Sequence, residues 1–155
     1  MPCRAPAYEG AARELSALAG SHDLAERYDR RAEALAWRAT ALRRAAEELA
    51  TAEAYRRARS AARIAYAAAL DAAAMEGVGP MNRAALAQAQ TELGHTALAL
   101  GSAGSGPVAL THLHAALGHF EAAADSHRRL GHAEAARVAA HGVTEASARI
   151  ALLAP

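Results

Sequence analysis

From Ser21 to Glu76 the chain contains neither Gly nor Pro. These two residues are the commonest helix breakers, one through backbone freedom and the other through a missing N–H. Much of the run is Ala, Leu, Arg and Glu, the strongest helix formers. The fold class is therefore all-α before any motif is considered. The run itself carries no catalytic signature.

Apolar residues within it recur at Tyr28, Ala32, Leu35, Ala39, Leu42, Ala46 and Leu49. Spacings of four and three place them on one seam, and the alternation of large and small residues implies a close partner helix. The next positions in that series are Glu53 and Arg56, so the seam ends. A second seam, Tyr55, Ala58, Ala62, Ala65 or Tyr66, Ala69 and Ala73, lies on a different side. An unbroken helix would be about 80 Å long, against a radius of gyration of about 15 Å for a globule of this size. The expectation is a break or sharp kink near Ala50–Thr51, with Thr51 as a new cap. The absence of Gly and Pro there keeps one long helix as the alternative.

Outside this run, residues 7–19 read as a short helix ended by Gly20, with Ser21 or Asp23 capping the next. Gly77-Val78-Gly79-Pro80 is a stop and turn. Asn82 is placed to cap a helix through Leu100, and residues 101–106 read as a flexible glycine loop. Pro107 suits the first turn of a helix that continues to about Leu130. Gly131 marks a joint before a last helix to about Leu153. No strand is predicted. The expected architecture is one all-helical domain over 1–155 with about five main helices. It comprises a long helix or helical hairpin over 1–76 and a helix-turn-helix portion over 81–153.

A length of 155 residues fits a single domain. Ala supplies roughly a third of the chain, far above ordinary usage, and aromatics only 4%. Such a core is thin and relies on helix axes near the ~8 Å end of the packing range. Net charge is +1, from 17 basic and 16 acidic residues, which gives no general case for nucleic acid or an anionic membrane. Apart from His, every basic residue is Arg, and the absence of Lys excludes a Schiff-base enzyme and a phosphate-loop Lys. The Ala- and Arg-heavy usage is associated with GC-rich bacterial genomes. A single Cys3 forms neither an internal disulfide nor a Cys-based zinc site. Residues Met1 to Gly10 lack the basic-then-apolar pattern of a signal peptide, and no apolar run approaches the ~20 residues of a spanning helix. A soluble cytoplasmic protein is expected.

Leu-Gly-His occurs three times, at Leu93-Gly94-His95, Leu117-Gly118-His119 and Leu130-Gly131-His132. The last two are followed by Phe120-Glu121-Ala122-Ala123 and Ala133-Glu134-Ala135-Ala136. Leu-Gly before a small-residue helix is the joint of a helix-turn-helix repeat. With these residues the chain over about 87–148 resembles the tetratricopeptide family. Leu93-Gly94 and Leu100-Gly101 resemble its first helix and turn, and Ala109, Leu113 and Ala116 its second helix. In a second unit Phe120, Ala123, Ala124 and His127 take the first-helix positions, Leu130-Gly131 the turn, and Ala136, Ala140 and Val143 the second helix. Gln90 stands where the family favours Trp, the closing Pro is missing, and the glycine loop is an insertion. The resemblance implies a concave face that binds protein or peptide. Its ligand-facing positions fall on Gln88, Thr91, His95 and Leu98, and on Glu121, Asp125 and Arg128. The competing reading of the last three is a solvated helix face.

Seven of the eight His residues lie between His95 and His141. Glu92-Leu93-Gly94-His95 has the Glu-x-x-His spacing of carboxylate-bridged di-iron bundles, which require a second such motif and two further Glu. No second motif is present in the chain, so neither metal nor cofactor is expected. Glu92, His95, His112 and His119 form the alternative metal set. Arg56, Arg57, Arg59 and Arg63, with Arg43 and Arg44 before them, could meet phosphate or an acidic partner. Glu47, Glu48 and Glu53 nearby favour a salt-bridged surface instead. No serine elbow or nucleophile–base pair is legible, and Trp37 lies off the Tyr28–Leu49 seam, marking a third-helix contact or an interface. The function expected is a non-enzymatic interaction module for a protein or peptide partner, a second copy of the chain included. The alternative is a bundle, or an enzyme, that holds a metal or small molecule in the His-rich half.

Overall fold

The computed structural model describes residues 2–154. It contains six α-helices: α1 (Ala5–Leu24), α2 (Tyr28–Leu49), α3 (Ala52–Glu76), α4 (Pro80–Ala103), α5 (Gly106–Arg129) and α6 (Ala133–Leu153). No strand occurs among the described residues. Each helix packs on the next, so neighbours alternate in direction. In addition α2 packs on α4, and α4 touches α6, whereas the backbones of α3 and α5 do not approach each other. The even-numbered helices thus meet along one side of the stack. α4 lies at its centre and is buried on most sides.

The long Gly- and Pro-free run breaks where its seam changes side. Ala50 adopts a left-handed conformation, φ 51° and ψ 36°, and Thr51 caps α3 by accepting from the Ala54 amide at 3.2 Å. Ala32, Leu35, Ala39 and Ala46 of the first seam and Ala58, Ala62, Ala65 and Ala69 of the second are buried. Holding an Ala in the left-handed region costs roughly 1–2 kcal/mol, and burial of both seams offsets it.

Several punctuation marks act differently from expectation. Gly20 does not end the first helix, because α1 continues to Leu24. Neither Ser21 nor Asp23 caps α2. The Glu76 carboxylate, from the far end of α3, accepts instead from the amides of Tyr28 and Asp29 at 2.8 and 3.3 Å. α4 begins at Pro80, and Asn82 reaches back to donate to the Gly77 carbonyl at 2.7 Å. The glycine loop shrinks to Gly104 and Ser105, since α4 runs on through Gly101 to Ala103.

Leu100-Gly101 is therefore no turn, and Leu117-Gly118 lies inside α5. A helix cannot be both the end of one repeat unit and the start of the next, so the two units drawn over 87–148 do not correspond to separate hairpins. The Leu130-Gly131 joint is present, with Gly131 at φ 73°. α2, α4 and α6 begin at Tyr28, Pro80 and Ala133, so hairpins recur every 52 or 53 residues. A tetratricopeptide unit is about 34 residues.

The core divides around α4. One cluster joins α1, α2, α3 and the first half of α4, and is mostly Ala. A second joins the second half of α4 to α5 and α6 around Phe120 and Leu113, and a small third, Ala46, Ala54 and Ala58, lies beside the α2–α3 turn. A Cβ on Gly94 or Gly142 would stand 2.7 or 2.6 Å from the Phe120 ring, and one on Gly101 would meet Leu113 at 2.7 Å. These glycines let three backbones close around two large side chains.

Candidate functional site

Along α4, the residues Met81, Ala84, Gln88, Thr91, His95, Leu98 and Ser102 are spaced by three and four, and so share one face. That face is the floor of a trough. α2 supplies one wall with Glu33, Trp37, Arg43 and Glu47, and α6 the other with Ala135, Val138, Glu145 and Arg149. The wider half has a volume of about 740 Å³ and is completed by His127, Leu130 and His132. The narrower half, about 290 Å³, contains His95 and Leu98. Trp37 and Val138, on opposite walls, are 51% and 41% exposed although both are large and apolar.

A polar chain fixes the floor to the α2 wall. Gln88 Nε2 donates to Thr40 Oγ1 at 2.8 Å, and Thr40 donates to Glu92 Oε1 at 2.9 Å. Glu92 Oε2 pairs with Arg43 Nε, and Arg43 also pairs with Glu47. Glu92 and Arg43 are both buried. Burial works against the Arg43 charge, but the two carboxylates outweigh it and raise the guanidinium pKa. Removing one partner of such a pair would leave an uncompensated buried charge.

The hydroxyls in the trough are committed as donors. Thr91 Oγ1 donates to the Ala87 carbonyl at 2.9 Å and Ser102 Oγ to the Leu98 carbonyl at 2.7 Å. Thr91 therefore accepts from His127 Nε2 at 3.2 Å, which fixes the proton of that imidazole on Nε2. His127 Nδ1 is left as a buried acceptor with no partner. Burial, and then the neighbouring His132 with its ring centroid 5.8 Å away, lower the His127 pKa and keep the ring neutral. His95 meets the Phe120 ring edge-on at 5.0 Å. Burial, followed by Arg43 and Arg44, pushes its pKa down to about 4.

The structure thus brings Gln88, Thr91, His95 and Leu98 together on one floor. Glu121, Asp125 and Arg128 line neither half of the trough. Asp125 pairs with Arg129 at 2.8 Å and with Arg128 at 4.0 Å on α5. The alternative metal set does not assemble. Glu92 is held by Arg43, His95 by Phe120, and His112 and His119 stand on α5 beside the arginines of α3. Among the described residues, no group of three or more His, Cys, Asp or Glu is placed to hold a metal ion. No helix is long and apolar enough to cross a membrane among the described residues.

No protein-family model, curated protein or solved structure matches the chain. The trough must be read from its own chemistry. Its wider half presents apolar walls, beside Thr91, which already bonds His127, and Glu33, which pairs with Arg30 at 3.5 Å. Its narrower half presents both charge signs, through Arg43 and Arg149 and through Glu47 and Glu145. Met81 and Val138 are lining residues that the sequence did not single out, because they come from helices far apart in the chain. Trp37 was the one visible signal, a large aromatic standing off the packing seam.

Proposed function

We propose that the protein is a non-enzymatic interaction module that holds a peptide segment of a partner protein in the α2–α4–α6 trough. The observation that carries this reading is the pair of half-exposed apolar side chains, Trp37 and Val138, on opposite walls of a polar-rimmed floor. Exposed apolar patches with polar rims mark interaction sites, and Trp is among the residues most enriched at binding hot spots. The occupant that fits places one or more large apolar side chains in the wider half. Its charged residues of both signs lie over the narrower half.

The tetratricopeptide resemblance supports the same face, since Gln88, Thr91, His95 and Leu98 are the positions it assigns to ligand. The meeting of α2, α4 and α6 on one side of the stack also suits a repeat-like groove. The hairpin period is longer than the family's, so the proposal stands on the trough itself. Selection from a random peptide library against the whole chain tests it. Selected peptides are expected to lose about tenfold or more in affinity on Trp37→Ala, the size of a hot-spot truncation, and to be unaffected by Arg137→Ala on the exposed face of α6. Peptides indifferent to both Trp37→Ala and Val138→Asp would overturn the reading.

A further inference from the structure

The fold divides the arginine run of the sequence. Arg43 and Arg44 turn to Glu47 and Glu92, and Arg57 reaches Glu9 of α1 at 3.4 Å. Arg56, Arg59 and Arg63 are left together, spaced by three and four on another side of α3. Among the described residues, none of these three makes an ion pair with a carboxylate. Glu53, one turn before Arg56, does not pair with it either.

His112 and His119 face them from α5. Arg59 Nη1 lies 3.0 Å from His112 Nδ1. A guanidinium only donates, so the imidazole accepts at Nδ1 and is neutral, with its proton on Nε2. Because the backbones of α3 and α5 do not approach each other, these side chains bridge the gap between the two helices. Arg56 to Arg63 spans about 10 Å at 1.5 Å per residue, and His112 to His119 spans the same. The surroundings carry one sign. Burial, then Arg59, Arg56 and Arg63, lower the His112 pKa, and burial, then Arg63 and Arg59, lower that of His119. No carboxylate offsets them, and Arg59 itself is lowered by burial and by Arg63. Like charges gathered in this way repel one another, and a bound anion relieves the repulsion.

We infer that this face binds an acidic helical segment of a partner protein, whose carboxylates, one turn apart, engage Arg56, Arg59 and Arg63. A helix with Glu at three- and four-residue spacing repeats the spacing of the arginines, and each guanidinium fork matches a carboxylate in two parallel hydrogen bonds. Nucleic acid fits less well. The net charge of +1 gives no wider phosphate-binding surface. The patch shares no residue with the trough, so the two readings stand or fall separately.

Calorimetry with the full chain tests the inference, using a synthetic helix that carries Glu along one face, its Gln counterpart, and a single-stranded oligonucleotide. The Glu helix is expected to bind about tenfold or more tightly than the Gln helix, the difference expected for charge-assisted hydrogen bonds, and to weaken as salt shortens the screening length. The double variant Arg59→Gln with Arg63→Gln is expected to remove that preference while leaving the thermal midpoint unchanged or raised, because it relieves repulsion. Trp37→Ala should leave Glu-helix binding intact. Failure of the Glu helix to bind, equal binding of the two helices, tighter binding of the oligonucleotide, or a double variant that is destabilised yet still binds would each overturn the inference.

Discussion

The first three helices and the start of α4 pack through alanines such as Ala32, Ala36, Ala39, Ala62, Ala65 and Ala69, all fully or nearly fully buried. Around α5 the helices instead close on Phe120 and Leu113, which are fully buried and held against Gly94, Gly142 and Gly101. Both regions bring backbones close together. In the first the approach is spread over many small side chains, so no single residue decides it. In the second it is concentrated in a few knobs and glycine holes. The floor of the trough belongs to both, because α4 runs through each core and His95 rests on Phe120. The shape of the trough therefore depends more on the second core than on the first.

The strongest way to break this comparison is Phe120→Ala. Emptying the central site is expected to cost about 3–5 kcal/mol, read by urea unfolding. Ala62→Gly in the alanine core should cost only about 1 kcal/mol, the helix-propensity difference. Similar losses at both sites would show that the two cores are alike.

Acid should distinguish the regions next. The folded chain holds the His95 pKa at about 4, against an unfolded value near 6.5. Between those values the unfolded chain binds a proton that the folded one refuses, so stability falls as pH drops from about 6.5 towards 4. The loss is on the order of 2–3 kcal/mol, measured by unfolding at pH 7 and at pH 4.5. His95→Leu should flatten that dependence, and an unchanged slope would place the acid sensitivity in other groups.

Glycines sharpen the contrast further. Gly94→Ala drives a Cβ against the Phe120 ring and should cost about 1–3 kcal/mol. Gly118→Ala, with nothing within 4 Å of the new Cβ, should gain up to about 1 kcal/mol from helix propensity alone. Thermal midpoints of the two variants should therefore move in opposite directions.

The same contrast explains what could be read in the chain. The alanine core was legible because its packing is periodic. The seam from Tyr28 to Leu49 failed at Glu53, and that failure located the turn at Ala50–Thr51. The Phe120 core was not, because Gly94 and Gly101 carry the same symbol as a turn glycine. A close approach between helices is a tertiary fact, so Leu100-Gly101 read as a turn although α4 runs through it to Ala103. Capping of α2 by Glu76 and pairing of Arg43 with Glu92 join residues 47 to 49 positions apart, beyond the reach of spacing rules. The floor residues Gln88, Thr91, His95 and Leu98 could be named from their spacing on one helix. The walls opposite them could not, since these depend on how α2 and α6 stack on α4.

Trp37 is the only Trp in the chain and stands half-exposed on the wall of the trough. Its emission therefore reports directly on occupancy. Titration with a library-selected peptide is expected to shift that emission to the blue as the indole leaves water, with a midpoint equal to the calorimetric Kd. A peptide that binds the chain with the same Kd while Trp37 emission stays unchanged would contradict the assignment of the trough as the binding site.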